Sequence, residues 1–137
     1  MGIEWIYNGI IFDEESIGEN IGFVYIITNT KNNKKYIGKK FFYFAKSKMV
    51  KGKKKKVKTS SNWKNYYGSN DVLIADVKKY GKEYFVREIV YLCKSKGECS
   101  YLELREQMDN RVLEIEDFYN NWIFCRIRKS HIKGLMK

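Results

Sequence analysis

Two tyrosines eleven residues apart, Tyr25 and Tyr36, stand on neighbouring β-prone runs, and Lys39 follows three residues after the second. Far along the chain, Glu106 lies in a helix-forming stretch. Hydrolysis of a phosphodiester needs a proton acceptor for water, positive charge on the phosphoryl oxygens and usually a metal held by a carboxylate. A phenol, an ammonium group and a carboxylate fill those places. The free phenol titrates near pH 10, so lysine or metal charge must lower it before it serves as a base. On their own these residues equally fit half-buried hairpin packing and a helical surface charge pattern.

Other chemistries find less support. Cys93, Cys99, Cys125 and His131 form an imaginable zinc set, but their spacing is wrong for the usual knuckles, and the cysteines read as small buried hydrophobes. The lone histidine sits in a basic tail and should be exposed, which leaves a nucleophilic Ser/His or Cys/His site without a base. Gly52 and Gly68 lack the partners of a phosphate-binding loop. No apolar run reaches the roughly 18 residues of a membrane span. The odd, dispersed cysteines suit a reducing compartment, so a cytoplasmic protein is expected.

Charge carries the strongest compositional signal. Lysine and arginine number 27 against 16 acidic residues, a net charge of +11. With 44% hydrophobic and 16% aromatic residues the chain should also fold. A folded domain this basic is a candidate for binding nucleic acid before anionic membrane. At 137 residues it reads as one domain, with residues 1–20 as a hairpin extension.

The elements that position the candidate residues follow in order. Asn8-Gly9 between two β-prone runs is a hairpin signal. Asp13 to Asn20 is an acidic linker. Phe23 to Thr28 and Lys35 to Gly38 form two strands around a polar turn, each carrying one tyrosine. From Lys46 to Lys58 eight of thirteen residues are lysine. Like charges so dense predict a mobile exposed loop, residues 46–60, that tracks phosphates through Lys48, Lys53, Lys54, Lys55 and Lys56. In Thr59 to Ser69, Trp63, Tyr66 and Tyr67 either stack bases or pin the loop to the core. Ser69-Asn70-Asp71 caps a helix that Gly81 ends, and Tyr84 to Cys93 is a strand apolar on both faces.

A second helix is expected over Ser100 to Ile115, with Tyr101, Leu104, Met108, Val112 and Ile115 along one face. On that wheel Glu103 points to solvent, while Glu106 sits beside Leu102 and Leu113 at the rim of the apolar sector. A short strand is expected in Trp122 to Arg128, before a basic tail.

Tyr25 followed by Tyr36-Ile37-Gly38-Lys39 resembles the two-part signature of the GIY-YIG nuclease superfamily, in its phage and bacterial homing-type or restriction-type branch. The resemblance continues through Tyr67-Gly68-Ser69, Lys79 to Phe85, and the helix with Arg105-Glu106, covering roughly Gly22 to Asn120. It implies an α+β fold: a small sandwich with a three-stranded antiparallel sheet flanked by helices, here with the added N-terminal hairpin. It also implies a metal-dependent endonuclease that hydrolyses DNA in a bacterial or phage-infected cell, with RNA not excluded as substrate and the choice between monomer and homodimer left open.

By the same resemblance Tyr25 and Tyr36 lie at the active site, Glu106 holds Mg2+ or Mn2+, Lys39 supports the phosphate and Asn120 lines the site. Lys40, Trp63, Tyr67 and Ser69 would contact nucleic acid. Two positions depart from the pattern. Phe23 stands where the first motif has glycine, and Lys46 stands at the catalytic arginine, keeping its charge but losing its planar fork. That second change admits another reading, a nucleic-acid-binding module with weak catalysis or none.

Overall fold

The computed structural model describes residues 3–137, apart from the Lys46 side chain. Its order begins with β1 (Trp5–Tyr7) and β2 (Ile10–Ile11), then β3 (Gly22–Asn29) and β4 (Lys35–Phe41). Next come β5 (Tyr43–Val50), β6 (Lys53–Ser60), α1 (Asp71–Tyr80), β7 (Phe85–Cys93) and α2 (Lys96–Asp109). Five strands form a mixed sheet in the order β2-β1-β7-β3-β4. Its centre is the expected antiparallel trio β7-β3-β4, and the N-terminal hairpin extends it because β1 runs parallel to β7. The hairpin turns at Asn8 and Gly9, both at positive φ, the backbone a two-residue turn of this kind requires.

β3 is buried on both faces, as its continuous apolar run demands. Phe23, Tyr25 and Ile27 join Trp5, Phe12, Trp63 and Leu73 on one side. Val24, with Ile37 and Cys93, meets Cys99, Leu102 and Val112 on the other. α1 starts where Asn70 accepts a hydrogen bond from the Leu73 amide (3.0 Å), and Gly81 ends it at φ +101°. No helix among the described residues is long and apolar enough to cross a membrane.

Three expectations are corrected. First, the lysine-rich stretch is an antiparallel ribbon, β5 on β6, turning at Lys51 and Gly52 with φ of +51° and +78°. A ladder needs backbone hydrogen bonds and β-tolerant residues such as Val50, Val57 and Thr59, but no core, and alternating lysines point into water. Its root is pinned by buried Phe42 and by the Ser61 hydroxyl, which donates to the Phe41 carbonyl (2.6 Å).

Second, α2 runs from Lys96 to Asp109, not from Ser100 to Ile115. Ser95 caps it by accepting from the Glu98 amide, and Arg111 at φ +52° follows its end. Its buried stripe is Cys99, Leu102 and Gln107, whereas Met108 and Ile115 are exposed.

Third, Trp122 to Arg128 forms no strand. The tail beyond it makes a 3-10 turn (Lys129–Leu135) against α2, with His131 half-buried where Gly97 leaves no room for a Cβ.

Arg87 of β7 is the buried charged side chain among the described residues. Its guanidinium donates to the carbonyls of Lys64 (3.0 Å), Tyr66 (2.8 Å) and Ile3. It lies between the rings of Trp5 and Tyr67, 4.6 and 4.1 Å from their centroids. Truncation strands three carbonyls and opens a void between two aromatic faces. Arg87→Ala should therefore lower stability by about 3 kcal/mol, read as a fall in the urea midpoint at unchanged slope. A loss below ~1 kcal/mol would show that the guanidinium does not hold these segments together.

Candidate active site at the edge of the sheet

β4 is an edge strand, and chain and side chains satisfy its outer backbone groups up to an open cleft. At Lys35 the edge is covered by chain: its amide donates to the Asp117 carbonyl (2.8 Å), and its carbonyl accepts from the Tyr119 amide (2.7 Å). Two residues on, side chains take over. The Ile37 amide donates to Asn120 Oδ1 (3.0 Å), and the Ile37 carbonyl accepts from Asn120 Nδ2 (2.8 Å) and Gln107 Nε2 (3.0 Å). Beyond this amide clamp lies a cleft of about 290 Å³, with Tyr36, Lys39, Ser69, Glu103 and Gln107 in its polar wall.

Glycine makes the tyrosine geometry possible. Gly38 pairs with Tyr25 across the ladder, and a Cβ there would sit 2.5 Å from the Tyr25 hydroxyl and 3.0 Å from Tyr36 Cε2. Gly68, at φ +89°, takes a backbone conformation that favours glycine, and a Cβ there would press on Leu73 and the Tyr36 ring. The two bare positions let Tyr25 pack 6.2 Å from Tyr36, centroid to centroid, while Tyr36 reaches outward. The Tyr36 and Ser69 hydroxyls lie 3.1 Å apart.

Lys39 alternates to the α2 face. Its Nζ donates to the Ser100 hydroxyl (2.8 Å) and stands 3.7 Å from Glu103 Oε1. The Glu103 side chain is 19% exposed. Burial raises its carboxyl above the ordinary 4.5, and the Lys39 charge opposes the rise. Burial likewise raises the Tyr36 phenol, with the Ser69 hydrogen bond opposing it, and pushes the Tyr25 phenol well above 10.0. Burial lowers Lys40, whose Nζ lies 4.2 Å from the Tyr66 ring centroid. Without a bound cation, neither phenol is poised as a base near neutral pH.

The expected site residues separate accordingly. Tyr36, Lys39, Ser69 and Asn120 line the cleft. Tyr25 is 1% exposed and lies in the core behind Tyr36. Glu106 is turned toward Asn110, whose Nδ2 is 3.3 Å from Glu106 Oε2. Glu103, expected in solvent, is instead the carboxylate in the cleft wall. Trp63 and Tyr67 pin their loop to the core and are buried, so base stacking by them is corrected. Lys48, Lys53, Lys54, Lys55 and Lys56 are exposed on the ribbon. The Lys46 side chain lies outside the described residues.

Glu103 and Gln107 escape the apolar-stripe reading because α2 carries apolar residues around much of its circumference, and Cys99, upstream of the expected helix, marks the face that is buried. Ser95-x-x-Glu98 is an N-cap signature, and a helix begun there puts Cys99, Glu103 and Gln107 in one row. Trp122 and Phe124, also in the cleft wall, left no mark beyond a short apolar run. Cys93 and Cys99 are buried as expected, and their mutual hydrogen bond with burial drives the Cys99 thiol upward; Cys125 is exposed. Among the described residues no group of three or more metal-ligating side chains converges.

The family described as "Putative endonuclease segE, GIY-YIG domain" matches residues 5–123. Comparison with curated proteins and with solved structures gave no match. The matched span runs from the first strand through the amide clamp and the first residues of the aromatic wall. The chain belongs to the GIY-YIG nuclease superfamily, in the segE-type endonuclease family.

Proposed function

We propose that the edge cleft hydrolyses phosphodiester bonds of DNA with the help of a divalent cation. The observation that supports this most is the convergence of a phenol, an ammonium group and a carboxylate, Tyr36, Lys39 and Glu103, in one cleft of a chain from a nuclease family. Glu103 is the carboxylate in that wall. One carboxylate, with water and phosphate oxygens in the remaining places, suits Mg2+ or Mn2+ better than a closed all-protein cage would. The ion, when bound, polarises the phosphoryl group and acidifies its water.

The chain's own groups do the rest. Lys39, held between Ser100 and Glu103, presents fixed positive charge to the phosphate oxygens. Tyr36, still protonated near neutral pH, orients water through the hydroxyl it shares with Ser69. Tyr25 acts as a positioning residue that backs Tyr36. Asn120 and Gln107, committed to Ile37, keep the edge from closing.

The ribbon supplies grip. Lys54, Lys56 and Lys58 share one face of β6 at steps of roughly 7 Å, while Lys53 and Lys55 occupy the other. Such a two-stranded basic ribbon fits a DNA groove and contacts phosphates without reading sequence.

Supercoiled plasmid incubated with the purified protein and Mg2+ should be nicked, with cleavage lost on chelation. The rate should rise with pH above 4.5, because burial shifts Glu103 ionisation upward from that value. DNA bound but uncut under every divalent ion would leave the binding-module reading in its place. Changing Lys54, Lys55 and Lys56 together to Gln should flatten the salt dependence of DNA binding by about 0.9 in slope per lysine; an unchanged slope would remove the ribbon from the interface.

A further inference from the structure

We propose that Trp122 and Phe124 form a base-stacking subsite, which takes a nucleobase unstacked beside the phosphate in the edge cleft; the subsite rests on the nuclease reading above. Both rings line the same cleft as Tyr36, Lys39 and Glu103. Both are also among the most exposed apolar side chains of the molecule, Trp122 at 70% and Phe124 at 76%. Large aromatic faces left in water beside a charged cleft are unfavourable unless something covers them.

The segment around them indicates what that is. From Trp122 to Arg128, Ile123 and Ile127 are half-buried, while Trp122, Phe124, Cys125, Arg126 and Arg128 face water. Ile123 packs against the α2 side of the core, which anchors the segment. The exposed side chains of the segment therefore include two aromatic rings followed by two guanidinium groups. Rings for base faces and cations for the backbone between them are the elements of a single-strand platform. An apolar protein partner would not call for arginines in the same exposed segment.

The position relative to the cleft gives the subsite its use. A phosphate held by Lys39 carries nucleosides on either side of it, and one of them meets the aromatic wall. Stacking that base outside the duplex turns the phosphate out of regular helical geometry and fixes its orientation in the cleft.

Trp122 is also its own reporter. The chain has three tryptophans, and Trp5 and Trp63 are buried at 2% exposure, with the Trp5 indole donating to the Trp63 carbonyl (2.7 Å). A change in emission on adding DNA therefore reads Trp122.

The test uses the full chain under chelation, so that nothing is cut, with end-labelled single-stranded oligothymidylate and an abasic strand of equal length. Oligothymidylate should quench the emission saturably, whereas the abasic strand should bind without quenching. The W122A/F124A double variant should lose roughly tenfold in affinity for oligothymidylate and nothing for the abasic strand. Both side chains are exposed, so far-UV circular dichroism should be unchanged.

Equal quenching by both strands, or equal loss of affinity for both, overturns the stacking subsite and leaves the nuclease reading standing. Failure to bind either strand overturns the two together. An emission shift that follows protein concentration without DNA, matched by self-association, assigns the rings to a second copy and overturns the subsite.

Discussion

The fold depends on a buried charge that no carboxylate pairs in a salt bridge among the described residues, Glu4 acting on it only at longer range. Arg87 is held by three backbone carbonyls and two aromatic faces, and its Nε has no partner among the described residues. A buried guanidinium is tolerated only where dipoles and rings replace its hydration. Satisfying it draws together three segments distant in sequence: the stretch before β1, the loop after the ribbon, and β7. Because Tyr66 and Tyr67 are fixed from this side, Gly68 and Ser69 arrive beside Tyr36 without a helix or strand to carry them.

A second device acts at the opposite end of the sheet. An edge strand presents unpaired amides and carbonyls that invite another strand. Here chain covers Lys35 and two side-chain amides cover Ile37; the covering is interrupted at Lys39 and resumes at Phe41, whose carbonyl accepts from the Ser61 hydroxyl. The outward residue at the interruption, Lys39, stands beside Glu103. The cleft thus occupies the place where a sixth strand would otherwise begin. Gly38, one residue earlier, clears the space in which the two tyrosine rings pack.

The legible parts of this design were those governed by local rules. Asn8-Gly9 specifies its turn through positive φ, Asn70 and Gly81 bracket α1, and the tyrosine-bearing strand pair follows from β-branched runs around a polar turn. The antiparallel centre and the family were readable because the signature residues sit on those elements. The ribbon was not, since dense lysine argues against packing but says nothing against an exposed backbone ladder. Glu103 was hidden because α2 carries apolar residues around much of its circumference, and only its contacts with Ile37 and Val24 select the buried stripe. Tyr25 and Trp63 show the remaining difficulty: whether an aromatic ring faces a cleft or a core is settled by elements far away in sequence.

In the proposed site Glu103, with Tyr36 and Lys39, forms the working end of the molecule, and Glu106 lies outside the cleft. Single-turnover cleavage of plasmid by Glu103→Gln and Glu106→Gln, compared with the unchanged protein in Mg2+, tests this most directly. Glu103→Gln should lose at least about a hundredfold in rate, and Glu106→Gln should cleave near-normally. Cleavage that survives Glu103→Gln but disappears in Glu106→Gln would contradict this assignment.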